Sequence, residues 1–270
     1  MILAAVLLVA RARFLMGTVC EIDAANEAQV AAAFDEAARI EKMLSTWRAD
    51  SELSTGRYSP ELVSLLAVVD RWRGETGGAF EPRIRPLINA WKTRAEGTVP
   101  SRAVIEDALS RIRGGSAPVE EGGFGKGYAL DRMLAKIDGD AVLDFGGQIL
   151  VRGEAPVTIA DPLHRDRPVV ALTLRDASLS TSSGSEKTFV VDGHRFTHII
   201  DPRTGQALPP RGSVSVIASD ATTADILSTA LYVMGREEGL RWANAHGVAA
   251  LFIDDSIVPS RTFPHFERTH

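Results

Sequence analysis

The chain has 270 residues, 45% of them hydrophobic and 24% charged, with a formal net charge of -5. That length supports a substantial buried core, and the balance is that of an ordinary folded protein, not of a disordered or collagen-like chain. The acidic surplus argues against a nucleic-acid binder, which carries a basic face, so any site for an anion must be built locally from amides, a few cations or a metal.

Residues 2–9 form an apolar run, followed by Ala10-Arg11-Ala12-Arg13. Eight residues fall short of the roughly 20 that cross a bilayer, so no stable membrane span is expected. The run reads either as the hydrophobic part of a signal peptide with a small-residue cleavage site, or as a first core strand. It sets residues 1–15 apart from one domain over 16–270. Cys20, the single cysteine, stands in the alternating run Thr18-Val19-Cys20-Glu21-Ile22 and reads as a buried strand residue.

Val30, Phe34, Ala37, Ile40 and Leu44 recur at helical spacing and predict an amphipathic helix. Ser59-Pro60-Glu61 is a helix start, with Leu62, Leu66, Val69 and Trp72 behind it and Gly77-Gly78 beyond its end. Ser101 opens a third helix to about Ile112. A fourth is predicted from about Thr222 to Met234, stopped by Gly235. Strands are predicted over 19–22, 141–145, 157–160, 169–174, 188–191, 196–200, 213–217 and 249–253. Helices dominate the first half and strands the rest, which makes the class α+β, not a βαβ alternation.

Three segments carry chemistry. Glu120-Glu121-Gly122-Gly123-Phe124-Gly125-Lys126-Gly127 puts glycines around a lysine at a helix start, either a structural turn or a loop whose amides approach phosphate. It is neither a Walker A loop nor a dinucleotide fingerprint, because the glycine spacing fails for both. In Thr197-His198-Ile199-Ile200-Asp201-Pro202, a histidine at a strand end is either unremarkable or a base. Asp225 and Thr229 stand at i and i+4, so their oxygens share one helix face. They suit magnesium, or they are merely an early acid favoured by the helix dipole and an outward threonine.

Taken in chain order, these segments resemble the FAD:protein FMN transferase family, the ApbE-like proteins. The likeness begins at Met16-Gly17-Thr18 and passes through Ser45-Thr46-Trp47, Ser51-Glu52-Leu53-Ser54 and Gly77-Gly78-Ala79-Phe80-Glu81-Pro82, with Trp91 downstream. After the lysine loop it continues through Asp144-Phe145-Gly146-Gly147, Ser178-Leu179-Ser180-Thr181-Ser182 and the two segments around His198 and Asp225. It implies one compact T-fold-like domain with a mixed or antiparallel sheet and flanking helices.

The resemblance also implies roles. Met16, Trp47, Ala79, Phe80, Glu81, Glu120, Lys126 and Ile199 fall where the family contacts FAD. Gly123 would offer a carbonyl to Mg²⁺, with Asp225 and Thr229 as side-chain ligands and Ser228 close by. His198 and Lys126 fall to catalysis, His198 by activating the acceptor hydroxyl. Glu81 and Glu120 replace the more common Asp, Arg83 replaces Thr and Gln148 replaces Asn. No lipobox is present, although the family is extracytoplasmic. The implied reaction is Mg²⁺-dependent transfer of FMN from FAD to a threonine of an acceptor, a redox-complex subunit or secreted flavoprotein, with release of AMP. The alternatives are an FAD pyrophosphatase using water and a non-catalytic FAD-binding protein.

Overall fold

The computed structural model describes residues 9–93, 97–185 and 187–269. Most of the N-terminal apolar run, residues 2–8, lies outside them. Strands β1 (Val9–Leu15) and β2 (Thr18–Ala24) make a hairpin through Met16-Gly17, both at positive φ (47° and 77°). Such a two-residue turn matches the twist of its strands. Ala10-Arg11-Ala12 therefore sits within a paired strand.

The sheet continues with β3 (Ala141–Phe145), β4 (Gln148–Ala160) and β5 (Pro168–Ser183). Two small hairpins follow, β6 (Thr188–Val191) with β7 (His194–Thr197), and β8 (Ile200–Asp201) with β9 (Gln206–Ala207). Last come β10 (Ser213–Ala218), β11 (Ala249–Ile253), β12 (Ile257–Pro259) and β13 (Glu267–Arg268). The main sheet runs β1-β2-β3-β4-β5-β10-β11-β12, with β13 on β5, and each pairing among the described residues is antiparallel.

Two strand expectations change. The predicted runs 157–160 and 169–174 are only the tip of a long arm, because β4 and β5 stay paired back through a register shift between Val151 and Glu154. Gly153 makes that shift possible: its φ is 85°, its amide donates to Asp176 Oδ1 at 2.8 Å, and a Cβ there would lie 2.6 Å from Asp140 Oδ1. The predicted strand 196–200 breaks in two because it changes partner: the His198 amide still donates to the Lys187 carbonyl at 3.0 Å in the register of β6, whereas Ile199 accepts the Leu208 amide and Ile200 pairs with Ala207 of β9.

The helices are α1 (Glu27–Leu44), α2 (Glu52–Thr55), α3 (Pro60–Glu75), α4 (Arg85–Trp91), α5 (Arg102–Arg113), α6 (Gly125–Leu134) and α7 (Ala221–His246). The predicted caps hold: Ser59 Oγ accepts from Leu62 N and Ser101 Oγ from Val104 N. The fourth predicted helix ends where expected but does not end the element. At Gly235 (φ 76°, ψ 175°) α7 kinks, then resumes to His246. Arg211 makes this possible by donating to the last carbonyls of the first segment, Tyr232 O at 2.6 Å and Val233 O at 2.7 Å.

The main core joins one sheet face to α1, α6 and the first part of α7, through Ile22, Phe34, Ile40, Leu130, Phe145 and Leu231. A second cluster sets α4 and α5 against the small hairpins, where Trp91 lies 5.2 Å from Phe196 and donates Nε1 to Gly205 O at 2.8 Å. A third runs along the β4–β5 arm and β11. Each large apolar side chain buried in these clusters contributes about 1.5–3 kcal/mol.

Cys20 is fully buried, as its alternation predicts. Burial first, then the charges of Asp144 and Glu21, push its thiol up to about 12. The thiolate is the reactive form. Native protein at pH 8 is therefore expected to resist iodoacetamide, and to take up one label when denatured. Rapid native labelling by mass spectrometry would contradict the buried assignment.

Candidate active site

A cleft of about 580 Å³ opens where the strand ends meet α6 and α7. It is lined by Ala79–Glu81, Glu120, Gly123, Lys126, His198, Ile199, Asp225 and Thr229, residues to which the family resemblance assigns roles. Segments far apart in the chain thus converge on one volume.

Its floor depends on how α6 meets α7. The turn over Glu121–Gly123 leads into α6, which begins at Phe124 without a side-chain cap. One early α6 amide, Gly127 N, instead donates to Asp225 Oδ2 at 3.1 Å. Gly127 permits the approach, because a Cβ there would stand 2.3 Å from the Ala221 carbonyl oxygen. One turn after Asp225, Thr229 donates Oγ1 to the Asp225 carbonyl at 3.2 Å and lies 3.4 Å from Ser182 Oγ. Gly123 is beside it: a Cβ on Gly123 would be 3.5 Å from Thr229 Oγ1.

This corner offers a carboxylate, a hydroxyl and peptide oxygens, a set that suits a hard divalent cation with some of its waters retained. Among the described residues no three His, Cys, Asp or Glu side chains form a metal cluster, so main-chain and hydroxyl oxygens are needed to complete a set here.

The two longer carboxylates are held from behind. Glu81 pairs with Arg73 and accepts the Arg83 amide at 2.9 Å. Arg83 itself grips Asp70 at 2.6 Å, an ion pair that threonine could not make. Glu120 takes Arg85 Nε at 3.2 Å and Thr46 Oγ1 at 3.2 Å. Its neighbour Glu121 is pushed above the ordinary carboxylate range by burial and by the Glu120 charge, and accepts the Thr46 amide at 3.0 Å.

His198 sits in the gap between β7 and β8. Its Nδ1 lies 3.3 Å from the Lys187 carbonyl, which can only accept. A neutral ring with its hydrogen on Nδ1 would donate to that carbonyl and carry its lone pair on Nε2. Lys126, in the first turn of α6, acts on Asp144, pulling down a carboxyl that burial raises. Asp144 also accepts the Gly147 amide at 2.7 Å.

Three of the chosen residues do not line the cleft. Met16 forms the β1–β2 turn, and its Cε lies 3.3 Å from where a Gly125 Cβ would be. Trp47 is 74% exposed on the loop after α1. Ser228 is fully buried behind the floor, bonded to Ser182 at 2.9 Å and Ser180 at 3.3 Å. Conversely, the cleft also takes in Asp144, Gln148, Ser180, Ser182 and the arm residues Pro156, Thr158 and Arg165, none of them chosen as site residues. The Asp144 and Ser178–Ser182 motifs were visible signals. The arm carried none, since no local pattern sets it beside the cleft.

The architecture is that of solved ApbE structures. The ApbE protein from Thermotoga maritima superposes with a TM-score of 0.85 at 27% identity, covering 94% of this chain and 97% of its own. The Pseudomonas stutzeri flavinyl transferase ApbE, at 23% identity, shares the fold with a TM-score of 0.83 over 94% of this chain and 95% of its own. A relative from Treponema pallidum (strain Nichols), named FAD:protein FMN transferase, is 30% identical across 90% of this chain and 83% of its own. Another of that name from Klebsiella pneumoniae (strain 342) is 28% identical across 79% of this chain and 78% of its own. Fold and cleft together define an enzyme of the flavin-transferase class. The model of the ApbE family matches residues 16–252, and the chain belongs to that family.

Proposed function

We propose that this enzyme transfers the FMN half of FAD to a threonine hydroxyl of an acceptor protein and releases AMP. The observation that carries the reading is the meeting of Asp225, Thr229 and Gly123 with Lys126 and His198 in one cleft. The threonine oxygen forms a bond to the FMN-side phosphorus while the bond to the bridging pyrophosphate oxygen breaks. His198 Nε2 takes the hydroxyl proton, and AMP leaves with the bridging oxygen. Lys126 supplies positive charge at the phosphates, and Glu81, Glu120, Phe80 and Ile199 line the space for the flavin and adenosine parts.

Asp225, Thr229 and the Gly123 carbonyl would hold Mg²⁺, which fits their oxygen-only chemistry and offsets charge on phosphate oxygens during transfer. The acceptor is expected outside the cytoplasm, among redox-complex subunits or secreted flavoproteins.

The test incubates the protein with FAD and Mg²⁺, with and without a domain bearing a candidate threonine, and weighs the products. A gain of one FMN on the acceptor, dependent on FAD and metal and matched by AMP, supports transfer. AMP with free FMN, made equally with and without acceptor, would indicate a pyrophosphatase. No AMP under any condition would reduce the protein to a flavin binder.

His198→Ala is expected to lower kcat by about 10²–10⁴-fold, the usual worth of a general base, with KM for FAD little changed. An unaltered kcat in stopped assays would remove His198 from proton transfer.

A further inference from the structure

The contact between α6 and α7 is reciprocal. On α6, Gly127 presents an amide and Asp131, four residues on, a carboxylate; on α7, Ala221 presents an amide and Asp225, four residues on, a carboxylate. Gly127 N donates to Asp225 Oδ2 at 3.1 Å, while Ala221 N donates to Asp131 Oδ1 at 2.7 Å. Asp131 Oδ2 further accepts Thr222 N at 2.9 Å and Thr222 Oγ1 at 2.5 Å. From the opposite side Gln148 Nε2 holds the Ala221 carbonyl at 2.7 Å.

Asp131 is not needed to start α7. Asp220 already caps that helix, accepting Thr223 N at 2.8 Å. What Asp131 adds is a fixed relation between two elements: α6 with the loop before it, carrying Gly123 and Lys126, and α7, carrying Asp225 and Thr229. An i, i+4 pair on each helix lets neither slide nor rotate without breaking bonds at both ends.

We propose that Asp131 is a positioning residue for the cation site, setting where Asp225 and Thr229 stand relative to Gly123 and Lys126. Gln148 reaches the same first turn of α7 and completes the clamp. The inference rests on the assignment of Asp225 and Thr229 as cation ligands.

Isothermal titration of the full chain with MgCl₂, alongside FAD binding followed by flavin fluorescence in EDTA, tests it. Asp131→Asn keeps the shape but turns one acceptor towards Thr222 as a donor. Mg²⁺ affinity is expected to fall at least about tenfold, the lower range for a residue that orients a ligand, with FAD affinity in EDTA unchanged. Thr222→Val should weaken Mg²⁺ about threefold, as for one lost hydrogen bond, and Thr222→Ser should restore it. This pair carries the test if Asp131→Asn does not fold.

Wild-type Mg²⁺ affinity in Asp131→Asn, with only a lower Tm, would make Asp131 a structural cap and overturn the inference. An equal loss of FAD affinity would also overturn it, since the whole cleft would then have given way. If the wild-type chain shows no Mg²⁺ binding, the cation assignment itself fails and the inference falls with it. Loss of binding in Asp225→Ala but not in Asp131→Asn would leave the cation assignment standing and sink this inference alone.

Discussion

Asp225→Ala is expected to lower kcat/KM at least about 10³-fold, several kcal/mol of transition-state stabilisation, and to abolish the dependence of the residual rate on Mg²⁺. Asp225 is the one carboxylate in the oxygen set beside Thr229 and Gly123, so its loss removes the charge that attracts a dication. The substitution has a structural cost too, because Gly127 N loses its acceptor. A buried amide left unpaired costs about 1–3 kcal/mol of stability, which alone would lower Tm without touching metal dependence. Asp225→Asn separates the two effects: it can keep an acceptor for Gly127 N yet removes the charge. It should recover much of the lost Tm and little of the activity. Full, Mg²⁺-stimulated activity in either variant would refute the cation assignment.

Gly127→Ala should be as damaging by another route. The added methyl would stand 2.3 Å from the Ala221 carbonyl oxygen and 2.7 Å from its carbon, and both are backbone atoms of α7. No side-chain rotation relieves that overlap, so α6 and α7 must separate, breaking the reciprocal bonds described above. Overpacking of this kind costs about 1–3 kcal/mol. For a chain of this size each kcal/mol lowers Tm by about 2–4 °C. A melting curve that coincides with the wild type would show that the two helices are not in contact. Mg²⁺ affinity should fall with it, since the ligands on α7 move away from Gly123.

Much of this was legible before the structure. The apolar stripe from Val30 to Leu44 and the caps at Ser59 and Ser101 fixed three helices, because local spacing and local hydrogen bonds determine them. Cys20 was readable as core from the alternation of its neighbours. Other features were hidden for a physical reason. The arm of β4 and β5 is interrupted by Gly153 and by charged residues, so alternation showed only its tip. The continuation of α7 beyond Gly235 depends on Arg211, a side chain outside the helix, which satisfies carbonyls that sequence order leaves exposed.

The site divides in the same way. Residue types named Asp225, Thr229, Lys126 and His198 as candidates, yet only the i, i+4 spacing of Asp225 and Thr229 required any two of them to meet. Asp131 carries no mark of its role in the pattern of α6. Its importance lies wholly in what it touches on α7, and no local pattern encodes that. Ser228, which the resemblance sets beside the cation ligands, bonds Ser180, Ser182 and the Asp225 carbonyl behind the floor, contacts that sequence order does not encode.

The bond between Gly127 and Asp225 joins positions 98 residues apart. A ribosome delivers the chain from its N-terminus, so the lysine loop emerges long before its partner helix exists. Closing a loop of that length has an entropic cost before any contact rewards it, and such contacts form late. The cleft is therefore finished only after α7 has been synthesised and docked, when nearly the whole chain is in place. Chains ending before α7 lack the wall of the cleft that Asp225 and Thr229 provide. The contact that closes the cleft is thus a late product of the chain's own order of synthesis.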